Sequence, residues 1–256
     1  VACNIRLYPQ LIKGLLEAAG GGMEHVEVYI GSISLADISM QASIEAYFAY
    51  MFGGMLRKIG CKLRPYEKIE GVTDRVIAQS VNILYNTFLG GRSKDDDLAK
   101  VISLFKKIEI SPAVRPKVAI FGDLYARDND VFNQNLISCI EAYGGEVLTT
   151  PFSEFAKLIS GPYMRRWFLE GEYKDVLFTK TLITLINQLD KSYYKIFNEL
   201  IHEPPLDYDI DYRKVYDQFN LTVQHFGESA DNLLKISSLV DHDPDIALFV
   251  QTNPAF

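Results

Sequence analysis

A short apolar run at residues 118–121 constrains the fold more than any other feature of this chain. A continuous apolar strand of this length is typical of a parallel sheet whose two faces are both covered. The acidic and amide side chains of residues 128–130 predict the cap of a helix that runs to Ala142. A glycine pair follows, and residues 146–149 predict the next strand, so the pattern indicates a βαβ unit.

A segment at residues 111–116 contains prolines, has no hydrophobic periodicity and predicts a linker between two domains. We predict an α/β fold built from Rossmann-like domains, in which helices flank parallel sheets. Residues 1–111 are predicted to form an N-terminal helix-rich α/β domain. Residues 112–256 are predicted to form a Rossmann-like α/β domain whose last strand lies at residues 245–251. We expect this second domain to be truncated at its C-terminus.

A long amphipathic helix is predicted before the linker, and its apolar stripe continues to Ile59. Gly53 and Gly54 interrupt the stripe, at a cost of about 1 kcal/mol each relative to alanine, so this pair predicts the close approach of another backbone. Gly60 is the predicted C-terminal stop of the helix. Residues 62–66 predict a short strand.

The chain is acidic, with a formal net charge of −7 over 256 residues and no dense run of lysine and arginine. This pattern argues against nucleic-acid binding, which requires a concentrated basic patch. The most hydrophobic stretch, residues 46–56, is shorter than the roughly 20 residues of a membrane span. The three cysteines lie far apart in sequence, which argues against a disulfide framework, and we expect a cytoplasmic protein.

The polar loop after the first strand is the most informative candidate site. Ligands of open parallel sheets bind beyond the carboxyl ends of the strands, where helix N-termini also point. Gly122, Asp123, Tyr125 and Asn129 are therefore predicted to bind a ligand. Capping of the following helix explains the polar residues of this loop equally well. The loop contains neither a dinucleotide-binding glycine pattern nor a P-loop.

Two other segments offer reactive side chains, although no residue is assigned a catalytic role. His225 and Glu228 lie before a predicted helix, where an imidazole and a carboxylate would share a ligand-binding cleft; a simple loop and cap is the alternative. Cys3 precedes a predicted helix N-terminus, where the thiolate form is favoured. Cys61 and Cys139 lie among apolar neighbours and are predicted to be core thiols.

Several segments, which together extend over most of the chain, resemble segments of one protein family. They are residues 4–11, 46–51, 115–125, 144–147, 225–228 and 245–256, with the asparagines Asn129, Asn133 and Asn135. In these segments the chain resembles the 2-hydroxyglutaryl-CoA dehydratase component-like family. More closely, it resembles the C-terminal region of the large acyl-CoA dehydratase activase (activator) proteins.

The resemblance implies an iron–sulfur electron-transfer protein of CoA-thioester metabolism. In this family an ATP-driven activator passes one electron to a dehydratase component, which removes water from a 2-hydroxyacyl-CoA through a ketyl radical. The resemblance implies a [4Fe-4S]-type cluster in the full-length protein, with Cys3 as a metal ligand. A family cysteine follows a proline–aromatic turn that corresponds to residues 253–256, where Asn253 is a candidate ligand-binding residue.

The chain is expected to be a piece of a longer protein, because it begins without methionine and contains no phosphate-binding loops of the ATPase module. We therefore expect no activity, and no assembled cluster, in this piece alone. Its implied partners are an ATPase activator module or a dehydratase subunit, with a CoA thioester as ligand. The alternatives are a non-catalytic docking domain and a small-molecule-binding α/β domain of a larger protein.

Overall fold

The computed structural model describes residues 8–28, 39–90, 93–203, 211–222 and 228–252. By its internal contacts the chain divides into two compact units, Val1–Ala46 and Tyr47–Phe256. The first unit contains helix α1 (Tyr8–Ala19), a 3-10 turn at Met23–His25 and the start of helix α2 (Met40–Leu63). The predicted domain division at residues 111–112 stays a prediction.

Helices dominate the first half of the second unit, where α2 is followed by α3 (Val72–Gly90) and α4 (Lys94–Phe105). Buried aromatic rings join these helices to α8 (Tyr173–Ile201). The ring of Phe52 on α2 lies 5.7 Å from that of Phe88 and 5.6 Å from that of Phe197. Phe52 and Phe197 are almost fully buried, so this aromatic cluster is the centre of the helical layer.

The predicted end of α2 is wrong, because the helix continues past Gly60 to Leu63 and a 3-10 turn follows at Arg64–Tyr66. Gly60 serves packing rather than termination. A Cβ atom at this position would lie 2.7 Å from Cδ1 of Ile77, so a larger residue would force the Ile77 side chain of α3 to shift. The short strand predicted at residues 62–66 is therefore a helix end.

Among the described residues, three parallel strands form the sheet: β1 (Lys117–Gly122), β2 (Glu146–Leu148) and β3 (Ile246–Thr252). Their order is β2-β1-β3, with β1 in the centre. The predicted mixed α/β architecture with parallel strands is thereby confirmed. The helices after β1 are α5 (Leu124–Asp128), α6 (Leu136–Ala142), α7 (Phe152–Glu170), α8, α9 (Tyr212–Gln218) and α10 (Glu228–His242).

The helix predicted from residues 128–130 to Ala142 ends as predicted but begins too early, since α5 ends at Asp128 and α6 begins only at Leu136. Gln134 and Asn135 both have φ of 57°, in the left-handed region, and consecutive residues of this kind cannot continue a right-handed helix. Asn133 accepts a hydrogen bond from the Leu136 N–H at 3.1 Å, which helps α6 to begin.

One face of the sheet packs against α2 and α6. Ile120 of β1 and Val147 of β2 form a buried cluster with Cys61 and Ile137. On the opposite face the rings of Phe121 and Phe249 meet at 6.2 Å. In the part of the chain that the structure describes, we find no helix long and apolar enough to cross a membrane.

Candidate functional site

The close backbone approach predicted from the glycine pair of α2 occurs at Gly54, which lies against the loop that follows β2. A Cβ atom added to Gly54 would lie 2.7 Å from Cβ and 3.4 Å from Cα of Pro151. A Cβ atom added to Gly53 would meet nothing within 4 Å. Gly54 therefore permits the close approach, whereas Gly53 leaves space open beside it.

That space belongs to a cavity of about 380 Å³ beyond the carboxyl end of β2, which we call the edge cavity. Ligands of parallel α/β sheets bind in this region. The volume lies within the usual range of small-molecule sites. The edge cavity is lined by Ala49, Tyr50, Gly53, Gly54, Arg57, Asp128, Thr149, Thr150 and Pro151.

Helix α2 forms one wall of the edge cavity, and this wall is apolar at one end and charged at the other. Ala49, Gly53 and Arg57 are spaced four residues apart and therefore share one face of the helix. Ala49 and Gly53 offer an almost flat apolar surface, and Arg57 ends it with a cation. The wall spans about 12 Å along the helix axis, from an apolar end to a charged end.

The wall opposite α2 contributes hydroxyl groups. Thr149 and Thr150 follow β2 directly, and each is 5% exposed. Within the described part of the chain neither hydroxyl has a hydrogen-bond partner, and the buried Nε of Arg57 has none. A buried polar group without a partner costs about 1–3 kcal/mol. Arg57, Thr149 and Thr150, which line the cavity, thus carry buried polar atoms without partners among the described residues, and a ligand would bond to these atoms once their side chains turn toward it.

The remaining charges near the edge cavity are balanced. Arg57 donates through Nη1 to the Asp128 carbonyl oxygen at 3.2 Å and through Nη2 to Oδ1 of Asp130 at 3.1 Å. The Asp130 side chain is 61% exposed, so water weakens this ion pair. The Asp128 carboxylate lies 3.5 Å from Nε of the buried Arg127. Two arginines thus face two aspartates, which disfavours a highly charged group within the cavity itself.

A second cavity of about 430 Å³ includes Cys61 in its lining, together with Gly53 and Arg57. Burial raises the pKa of the Cys61 thiol to about 12, and the charge of Glu141 adds to the shift. The group is therefore a neutral and weakly nucleophilic thiol at physiological pH. This agrees with the core position predicted for Cys61, whereas Cys139 is exposed.

The structure gives two of the predicted ligand-binding residues clear local roles at the end of β1. Gly122 has φ of 110°, and a Cβ atom there would lie 2.1 Å from the Thr252 carbonyl oxygen. Asp123 accepts a hydrogen bond from the Ala126 N–H at 2.7 Å and caps α5. The helix that ends at Ala142 begins only at Leu136, so the predicted cap among residues 128–130 lies too early in the chain. Gly122 and Asp123 border β3 and α5 and do not line the edge cavity.

Two other predicted residues also lie outside the lining. Tyr125 is exposed, and its ring meets that of Phe132 at 5.8 Å. Asn129 accepts a hydrogen bond from the Phe132 N–H at 2.9 Å. The loop residue that does line the cavity is their neighbour Asp128.

The other predicted site residues lie at or beyond the limits of the described residues. Cys3, His225 and Asn253 are outside them. Glu228 begins α10, but its side chain is not described. Among the described residues no group of three or more His, Cys, Asp or Glu side chains is placed to hold a metal ion. The described cysteines therefore do not fit a cluster, and Cys3 as a metal ligand stays a prediction.

Sequence patterns did not single out Thr149, Thr150 or Arg57 as a combined site. The available signal was their position: two threonines directly follow a buried strand, and an arginine follows the glycine pair by one helical turn. The sequence does not show which helix crosses the end of which strand. Only the contact between Gly54 and Pro151 brings these residues together.

Comparison with known proteins gave no relatives for this site. No protein-family model matches the chain, no curated protein matches it, and no solved structure matches its fold.

Proposed function

We propose that this chain is a Rossmann-like, ligand-binding part of a cytoplasmic acyl-CoA dehydratase activase-type protein, and that the edge cavity binds the ligand. The observation that supports the ligand-binding role is that Arg57, Thr149 and Thr150, each with a buried polar atom that lacks a partner among the described residues, line one cavity beyond a parallel strand. The sequence resemblance supports the family, and a CoA thioester is the ligand that it implies.

A thermal-shift screen with CoA thioesters and nucleotides tests ligand binding. A ligand at a hundredfold excess over its dissociation constant stabilises the protein by about 2.7 kcal/mol. The decisive variant is Gly53→Leu, which adds a side chain where no neighbour lies within 4 Å and so fills the cavity. We expect it to fold normally and to abolish the shift.

The matched control is Gly14→Leu, which adds the same side chain to α1 at another position without a neighbour within 4 Å. This variant should retain the full ligand-induced shift. If Gly53→Leu retains it as well, the ligand does not bind in the edge cavity. A nucleotide that stabilises the protein without any effect of CoA thioesters would count against the family.

The redox part of the proposal rests on the resemblance alone. In it, Cys3 contributes to a [4Fe-4S]-type cluster of the full-length protein, which works with an ATPase activator module or a dehydratase subunit. Anaerobic reconstitution of the full-length protein with iron and sulfide tests this role, with absorbance and electron paramagnetic resonance as readouts. Cys3→Ala should remove the cluster signal and Cys139→Ala should retain it. A missing signal, or one that survives Cys3→Ala, defeats the redox role.

A further inference from the structure

The edge cavity has an apolar end and a donor end, and this asymmetry restricts the ligand. The apolar end is formed by Ala49 and Gly53 of α2, with the ring of Pro151 nearby. The donor end is formed by Arg57, Thr149 and Thr150. A ligand that fits both ends has an apolar body of a few carbon atoms and an oxygen-rich head.

The head must accept a hydrogen bond from Arg57, because a guanidinium N–H only donates, and the hydroxyls of Thr149 and Thr150 can donate to the same head. Arg57 keeps a buried Nε–H without a partner in the described structure even though its two terminal nitrogens are engaged. A carboxylate oxygen accepts strongly from guanidinium and hydroxyl groups, and such charge-assisted bonds are about twice as strong as neutral ones. The donor end therefore fits a carboxylate.

The surrounding charge limits the head to a small negative charge. Asp128 also lines the cavity, and Asp130 pairs with Arg57. Arg57 and the adjacent Arg127 balance these two aspartates, so no excess positive charge remains to hold a polyphosphate. The Arg57–Asp130 pair is exposed on the Asp130 side and competes only weakly with a ligand.

We infer that the edge cavity binds a monocarboxylate group on a short apolar chain, with the carboxylate on Thr149, Thr150 and Arg57 and the chain along Ala49 and Gly53. This inference rests on the proposed ligand-binding function and specifies the chemistry of the buried end of the ligand. It applies to a free carboxylic acid and to a larger ligand that ends in one.

Isothermal titration calorimetry of the full chain with hexanoate, hexan-1-ol and hexylammonium tests the head group. We expect hexanoate to bind at least about tenfold more tightly than either analogue, because the hydrogen bonds to a charged acceptor are lost in both. Equal or tighter binding of hexanol or hexylammonium overturns the carboxylate assignment.

Two variants locate the interaction. The double variant Thr149→Val with Thr150→Val removes both hydroxyls, preserves side-chain shape and should weaken hexanoate by about tenfold or more while hexanol is unaffected. Gly53→Leu should abolish hexanoate binding, and Gly14→Leu should not. Hexanoate binding that survives both cavity variants overturns the inference.

The outcomes also separate this inference from the proposed function. If a screened ligand loses its thermal shift in Gly53→Leu but shows no preference for a carboxylate, the cavity is a ligand site and the inference alone fails. If every ligand-induced shift persists in Gly53→Leu, the proposed function of the cavity fails with it.

Discussion

Two segments of the second unit meet the same helix, α2, and differ in how their polar groups are satisfied. At the C-terminal end of α2, which we call the paired segment, Arg64 donates to both Glu141 oxygens at 2.7 and 2.8 Å and to Asp74 at 2.9 Å. Tyr66 donates to the buried Glu146 at 2.6 Å. About two to three turns earlier along α2, the open segment of Gly53 and Arg57 lies beside Thr149 and Thr150, and some of their polar atoms have no partner in the described structure.

The difference separates structural polar groups from groups available to a ligand. Burial lowers the pKa of Arg64, but the hydrogen bond and charge of Glu141 outweigh it and raise the pKa above its ordinary value. The guanidinium is therefore charged and fully engaged in holding α2 against α6. In the open segment the terminal nitrogens of Arg57 are hydrogen-bonded, but its Nε and the hydroxyls of Thr149 and Thr150 have no partner among the described residues. Stability should depend on the paired segment, and ligand binding on the open one.

The largest expected effect is the loss of the Arg64 ion pair. Arg64→Met leaves the Glu141 side chain, which is 9% exposed, without its cation and should lower the free energy of unfolding by about 3 kcal/mol. Lys68→Met is the control, because Lys68 and Glu109 form an exposed pair that contributes less than about 1 kcal/mol. Urea denaturation measures both. Equal effects of the two variants would remove the distinction between the segments.

The glycine pair gives the next largest contrast. Gly54→Ala forces a methyl group to within 2.7 Å of Pro151 and should destabilise the protein by about 1–2 kcal/mol through overpacking. Gly53→Ala should stabilise it by up to about 1 kcal/mol, since alanine favours the helix and the new methyl group meets no neighbour. Thermal denaturation of both variants measures the difference. Similar shifts would show that the cavity beside Gly53 is closed in solution.

Removal of one hydroxyl from each segment sharpens the comparison further. Tyr66→Phe leaves the buried Glu146 without a donor and should lower the free energy of unfolding by about 1.5 kcal/mol. Thr149→Val removes a buried hydroxyl that has no partner among the described residues and should leave stability unchanged or raise it by about 0.5 kcal/mol. Urea denaturation without ligand is the measurement. A loss of stability in Thr149→Val would mean that the hydroxyl is satisfied.

The smallest expected effect concerns the acid side of the stability profile. Burial raises the pKa of Glu67, but hydrogen bonds from Thr73 and Gly71, including backbone bonds at 2.8 and 2.5 Å, outweigh it and hold the pKa below its ordinary value. A lowered pKa stabilises the fold above the unfolded value of about 4.3 and ceases to do so as the pH falls through the folded pKa.

Glu67→Gln should therefore lose stability at neutral pH and show a shallower decline towards acid than the wild type. Gly53→Ala is the control, because it removes no titrating group and its decline should parallel that of the wild type. Unfolding by urea at a series of pH values measures the slopes. A slope unchanged by Glu67→Gln would show that this carboxylate does not stabilise the paired segment.

Local patterns predicted much of the secondary structure and one feature of the site. The strands at residues 118–121, 146–149 and 245–251 appear as β1, β2 and β3, because short apolar runs bounded by turn residues leave few alternatives. The pair Gly53–Gly54 predicted a close backbone approach, since a helix interior tolerates two glycines only where packing requires them. The division of α5 from α6 escaped prediction because it depends on left-handed backbone at Gln134 and Asn135.

The sequence by itself determined which residues form the parallel strands and where the glycine pair of α2 leaves the helix surface without side chains. Both features depend on residues that are close together in the sequence. Tertiary structure alone decided that Gly54 meets Pro151 and that Arg57 therefore faces Thr149 and Thr150. Those contacts join residues about ninety positions apart, and no local pattern records which distant side chains remain without partners once the chain has folded.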